Sequence, residues 1–171
     1  LIENIGSSFL FIDGNGKVRM ANRKFQRTFS MEEHGWFDKT YEDILPYKDV
    51  VNLIDETVAE ETETRRTIVL PIGIERRHFE VFGAPIKHGF SRSRGIVVVF
   101  HDITELKKLE KMRKDFVANV SHELKTPVTS LKGFAETLLE EDTVNDEAVQ
   151  RKFLNIIEKE SDRLETLIDE L

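Results

Sequence analysis

The chain has 171 residues, 39% of them hydrophobic, enough for a small domain plus a short helical module, and two units are expected. Its 25 basic residues are outnumbered by 32 acidic ones, and the formal net charge of -7 repels a phosphate backbone, so no nucleic acid is expected as a partner. Cysteine is absent, which removes disulfides and thiolate metal sites and suits a reducing compartment.

Nothing in the chain nears the roughly 20 continuous apolar residues that span a bilayer. The longest apolar run, Gly95 to Phe100, reads as a buried strand, and no direct membrane insertion is expected. The first residue is Leu1, and no charged region followed by an apolar core precedes Glu3, so the chain reads as cut from a longer one.

In chain order, Phe9 to Asp13 and Val18 to Ala21 are strand-like runs separated by Gly14-Asn15-Gly16, residues that accept positive φ and permit a tight hairpin. Arg23 to Phe29 and Asp49 to Ala59 carry apolar residues at helical spacing. Three further strands are expected at Arg66 to Leu70, Arg77 to Ala84 and Gly95 to Phe100, with Gly89 to Gly95 as a polar hairpin loop. Phe9, Phe11, Phe25, Phe29, Trp36, Phe79 and Phe82 read as filling for a packed core rather than as the lining of a cofactor pocket.

Beyond Asp102 the chain turns charged, poor in glycine and helical in pattern. From Ile103 to about Glu140, Leu106, Leu109, Phe116, Val120, Leu124, Leu131, Phe134 and Leu138 mark one long apolar stripe. Asn145 is placed to cap a second helix with Asp146 and Glu147 in its first turn. In that helix Phe153, Ile157, Leu164, Leu167 and Leu171 fit a heptad seam, interrupted by Glu160. Two helices cannot bury both stripes alone, so a homodimer forming a four-helix bundle is expected.

The segment Phe116 to Pro127 carries the chemistry. At about 100° per residue the apolar stripe fills roughly one quadrant, and His122 points roughly 150° away from it, towards solvent. Asp115, Asn119, Thr126 and Thr129 share its side. An exposed histidine standing alone is a surface residue. Here Glu123 follows directly, and a carboxylate that accepts the proton of one ring nitrogen leaves the other free to attack an electrophilic phosphorus. Pro127 has no N-H for the Glu123 carbonyl, so a kink just after His122 is expected, because the stripe continues across it. A zinc protease needs a second histidine one turn on, and position 126 is Thr. His34, His78, His88 and His101 lack metal-ligand spacing, no Walker-type phosphate loop occurs, and no metal site is expected.

Phe116 to Pro127 resembles the H-box of sensor histidine kinases, F-x-x-x-x-S-H-E-L-K-T-P. Its extension from Lys132 to Leu139 is similar to the phosphate-responsive sensor kinases of Gram-positive bacteria, with cell-wall sensor kinases as the nearest alternative. Phe11-Ile12-Asp13-Gly14, Ala21-Asn22 and the closing Asp102-Ile103-Thr104 resemble a PAS sensor domain. The resemblance implies an α+β PAS domain over residues 1–102, with an antiparallel sheet flanked by short helices. A signalling linker helix over 103–114 and an all-α dimerisation and phosphotransfer hairpin over 115–171 follow.

It further implies that His122 accepts the γ-phosphoryl group of ATP and passes it to an aspartate on a response regulator receiver domain. Glu123 serves as acid/base and Thr126 orients water for a phosphatase step. ATP and Mg2+ enter through a catalytic domain that lies beyond Leu171, so this chain is not expected to phosphorylate itself or to hold a cofactor. Its expected place is the cytoplasmic part of a membrane-anchored bacterial protein. The competing class is a non-enzymatic dimeric adaptor with a ligand-binding PAS domain and an inert histidine.

Overall fold

A computed structural model describes residues 6–86, 95–140 and 146–171, which fall into two compact units meeting near Lys108 and Leu109. The first unit is a five-stranded antiparallel sheet in the order β2-β1-β5-β4-β3. Its strands are β1 (Ser8–Asp13), β2 (Val18–Ala21), β3 (Thr64–Ile72), β4 (Glu75–Ile86) and β5 (Gly95–Asp102). Three helices lie between β2 and β3: α1 (Arg23–Thr28), α2 (Tyr41–Ile44) and α3 (Lys48–Glu60). All five predicted strands and both predicted helices are present. The four-residue α2, capped by the Thr40 side chain, is too short to leave a periodic signal.

Local chemistry sets the frame. Asp13 opens the β1–β2 turn by accepting the N-H groups of Asn15 and Lys17 at 2.9 and 3.0 Å, and Arg19 reaches its other oxygen at 2.6 Å. That guanidinium hydrogen bond, aided by the two backbone donors, holds the Asp13 carboxyl below its ordinary range despite some desolvation. Asn22 ties β1 to α1. Its Oδ1 accepts from Phe9 N-H at 3.0 Å and, as helix cap, from Phe25 N-H at 2.9 Å, while its Nδ2 donates to the Ser7 carbonyl.

One face of the sheet meets the helices. Leu10, Ile12, Ile68, Leu70, Phe79, Val81, Ile96, Val98 and Phe100 are buried there with Phe25 and with Val50, Leu53 and Ile54 of α3. The spacing of Val50, Leu53, Ile54 and Thr57 is that of a single helical face. Phe25, Phe29, Phe79 and Phe100 form a cluster of rings with centroids 4.7 to 6.3 Å apart, and Trp36 is buried near Phe37. Phe9, Phe11 and Phe82 are not part of that core. Strand alternation gives the inward positions to Leu10, Ile12 and Val81, and the three phenylalanines lie half-buried on the opposite face.

The second unit is made by the greater part of α4 (Thr104–Leu139) together with α5 (Glu147–Asp169). Pro127 lies inside α4, which is assigned as helix on both sides of it, so proline does not start a new helix here. The N-cap of α5 is Asp146, which accepts from Ala148 N-H at 2.9 Å; the expected cap, Asn145, lies outside the described residues. The misplacement is one residue, since either side chain can cap and only φ and ψ decide between them. Residues 87–94, and with them the predicted loop and His88, also lie outside the described residues.

α4 begins in a side-chain lock. Asp102 Oδ1 accepts from the Thr104 N-H at 2.9 Å and its hydroxyl at 2.6 Å, and Arg77 pairs with the other oxygen at 2.6 Å. Thr104 Oγ1 in turn accepts the N-H of His78 at 3.0 Å, whose carbonyl takes the Ile103 N-H at 2.8 Å. Burial pushes the Asp102 carboxyl up, but the Thr104 hydrogen bonds and the Arg77 charge outweigh it and leave it lowered. A carboxyl lowered on folding contributes stability that is complete above its unfolded value and is lost as pH falls through its folded one, here below about pH 4. Asp102→Asn should therefore cost about 1 kcal/mol at pH 7, discounted for partial exposure, and less at pH 3. Urea midpoints followed by Trp36 fluorescence at both pH values check this; an equal cost at both would show that the charge is not the cause.

Candidate functional site

The helical hairpin positions the predicted site. Phe134 of α4 and Phe153 of α5 meet edge to face with centroids 5.3 Å apart. At the other end Phe116, Val120 and Leu124 share a groove with Leu167. The two helices therefore run antiparallel, with α4 turned so that its stripe faces α5. Val120, Leu124, Leu131, Phe134 and Leu138 are partly covered, as are Phe153, Ile157, Leu164 and Leu167 across from them, while Phe116 stays 57% exposed.

His122 is exposed, and so are Asp115, Asn119, Thr126 and Thr129 on the same strip. The imidazole lines an open groove with Lys125, Thr126, Thr129 and Ser130. Lys125 and Ser130 were not singled out from the sequence, although their offsets of three and eight residues from His122 put them on the same strip. One ammonium and three hydroxyls beside a nucleophilic ring are suited to an incoming anionic group, the cation offsetting its charge and the hydroxyls donating to its oxygens.

The predicted residues do not all meet. Thr126 sits one turn from His122, and its hydroxyl donates, at 3.4 Å, to the His122 carbonyl. Glu123 is exposed but lines the other groove, with Phe116, Val120 and Leu124, and no side-chain hydrogen bond joins it to His122 among the described residues. Adjacent helix positions diverge by about 100°, which is why Glu123 leaves the strip. Pro127 is buried on the stripe side. Among the described residues no group of His, Asp and Glu has the arrangement to hold a metal ion, and no helix is long and apolar enough to cross a membrane. His34 and His101 are exposed and His78 is half-buried; His101 Nδ1 lies 3.1 Å from Ser7 Oγ.

Fold and site together define an α+β sensor unit followed by a helical hairpin that presents a histidine. The family description "PAS fold" matches residues 2–108, and "His Kinase A (phospho-acceptor) domain" matches residues 112–171. The sensor protein kinase WalK of Staphylococcus aureus strain Newman is 31% identical over 175 aligned residues, covering 100% of this chain and 27% of that protein. A second WalK sequence from Staphylococcus aureus is matched at 31% identity over 40% of its length. The chain thus spans less than half of the curated relatives it matches.

Among solved structures, histidine kinase ThkA in complex with response regulator protein TrrA superposes with a TM-score of 0.56 at 21% identity, over 99% of this chain and 52% of that one. The PAS domain of BvgS from Bordetella pertussis superposes with a TM-score of 0.54 at 18% identity, over 69% of this chain and 92% of that one. These two likenesses are likenesses of fold. The chain belongs to the PAS fold family, and its residues 112–171 are similar to the His Kinase A phospho-acceptor domain.

Proposed function

We propose that this chain is the sensor and phosphoacceptor part of a two-component sensor kinase, with His122 as the residue phosphorylated. The supporting observation is the exposed imidazole in a groove with Lys125 and three hydroxyls. In the reaction a ring nitrogen of His122 attacks the γ-phosphorus of ATP, a P-N bond forms, and the bond to the leaving ADP oxygen breaks. In the second step an aspartate oxygen of a response regulator takes the phosphoryl group and the ring regains its lone pair.

Within this reading Glu123 is the acid/base partner. It accepts the proton of the non-attacking ring nitrogen after a side-chain rotation out of its own groove. Thr126 orients water for dephosphorylating the regulator once its hydroxyl leaves the His122 carbonyl, and Pro127 permits bending of the helix beside the nucleophile. Mg2+ supplies charge neutralisation at the transferring phosphoryl group. ATP and Mg2+ are held by a separate ATP-binding domain, not by these residues. The partners are a second copy of the chain completing a four-helix bundle, that ATP-binding domain, and a receiver domain. The domains run as residues 1–102, 103–114 and 115–171, in the cytoplasmic part of a membrane-anchored protein.

The test is transfer in trans. The chain is incubated with ATP, Mg2+ and a separately supplied histidine-kinase catalytic domain, and acid-labile, alkali-stable phosphate is measured. Absence of label would replace this reading with that of a dimeric adaptor.

A further inference from the structure

We propose that Glu160 is a positioning residue for His122, keeping the turn around Pro127 bendable by holding a hydrated layer inside the hairpin. The inference rests on the reading of His122 as phosphoacceptor. Its basis is the layering of the two helices. Phe134 packs on Phe153, and Val120 shares a groove with Leu167, two heptads back along α4 and two heptads on along α5. The layer midway between these is one heptad from each: Pro127 on α4 and Glu160 on α5.

Every other α5 position on this heptad row is aromatic or aliphatic, whereas Glu160 is partly covered and its carboxylate has no hydrogen-bond or ion-pair partner among the described residues. A carboxylate without a partner resists burial and keeps water beside it. At the same level Pro127 leaves the Glu123 carbonyl without its helical donor. Two polar defects thus share one layer: an acceptor on α4 and a carboxylate on α5, both of which water can serve. His122 precedes Glu123 directly, so the loosened turn is the one that carries the imidazole. An apolar side chain at position 160 would close the layer on Pro127 and stiffen that turn.

The experiment compares Glu160→Leu, Glu160→Gln and a control, Gly133→Ala, in the 171-residue chain. Gly133 is exposed in α4 with nothing within 4 Å of an added Cβ, so the control stabilises the helix away from the layer. Three quantities are read: the thermal midpoint, hydrogen exchange at the amides of Val128 to Leu131, and the rate of His122 labelling by the catalytic domain supplied in trans. Glu160→Leu is expected to raise the midpoint, slow exchange, and change the labelling rate at least about threefold, since small misplacements of a reacting group weigh heavily on rate. Glu160→Gln, which keeps the layer polar, should stay within that factor of the parent, as should Gly133→Ala.

A smaller rate change in Glu160→Leu, or the same change in Gly133→Ala, overturns the positioning role, as does a Gln variant that behaves like Leu. If the parent chain takes no label, the phosphoacceptor reading has failed instead, and faster or unchanged exchange in Glu160→Leu would still overturn the hydrated layer by itself.

Discussion

His122→Ala should take no acid-labile phosphate under conditions that label the parent chain, while its thermal midpoint stays unchanged. Both halves follow from the same geometry. The imidazole is exposed and makes no side-chain hydrogen bond among the described residues, so truncating it removes no packing and should shift stability by no more than about 0.5 kcal/mol. A phosphorus bound to imidazole nitrogen is lost in acid and kept in alkali, whereas a phosphoester on Thr126, Thr129 or Ser130 is stable to acid; a phosphoramidate on Lys125 would share the signature of His122, and loss of the label in His122→Ala separates the two. Glu123→Gln should slow labelling by about 10²-fold or more without abolishing it, because general-base assistance accelerates a nucleophile that remains present. Label that persists in His122→Ala would move the acceptor elsewhere and remove the proposed function.

Phe100→Ala should destabilise the sensor unit by about 3–5 kcal/mol, a large share of what a small domain possesses. Phe100 is 1% exposed, and its ring lies 5.1 Å from Phe29, 6.0 Å from Phe25 and 6.3 Å from Phe79. Its loss opens a cavity where β5, the strand between β1 and β4, faces α1. These neighbours come from separate elements and cannot all shift inward together, so the void persists and adds to the lost transfer energy. The chain has one tryptophan, Trp36, buried in this same unit, so its fluorescence in urea follows the sensor unit and not the hairpin. A loss of less than about 1 kcal/mol would mean that the cluster relaxes to fill the space.

Legibility from the sequence tracked periodicity. Strands β1 to β5 are legible because alternating or continuous apolar runs end at turn residues, and α4 because its stripe recurs over about nine turns. Which side of a strand faces inward was less legible. In β1, Phe9 and Phe11 are as apolar as Leu10 and Ile12, so hydrophobicity alone could not choose between two faces that differ by a one-residue shift. The exposed placement of His122 followed from angle counting along one helix. The departure of Glu123 from the His122 strip follows from the same count, whereas the groove it shares with Leu167 does not, because that depends on where α5 lies. Asn22 and Thr104 show in the sequence only as motif letters; the bonds of Asn22 to Phe9 and of Thr104 to His78 join residues far apart in the chain, which no local pattern encodes.

The opening of α4 has one more implication. Both main-chain groups of His78 are already committed, its N-H to Thr104 and its carbonyl to Ile103. Sliding β4 along its axis therefore either drags the first turn of α4 with it or snaps two bonds at once. Slack has been removed at the very residue pair where sheet becomes helix, so a displacement arriving there has no soft joint in which to dissipate.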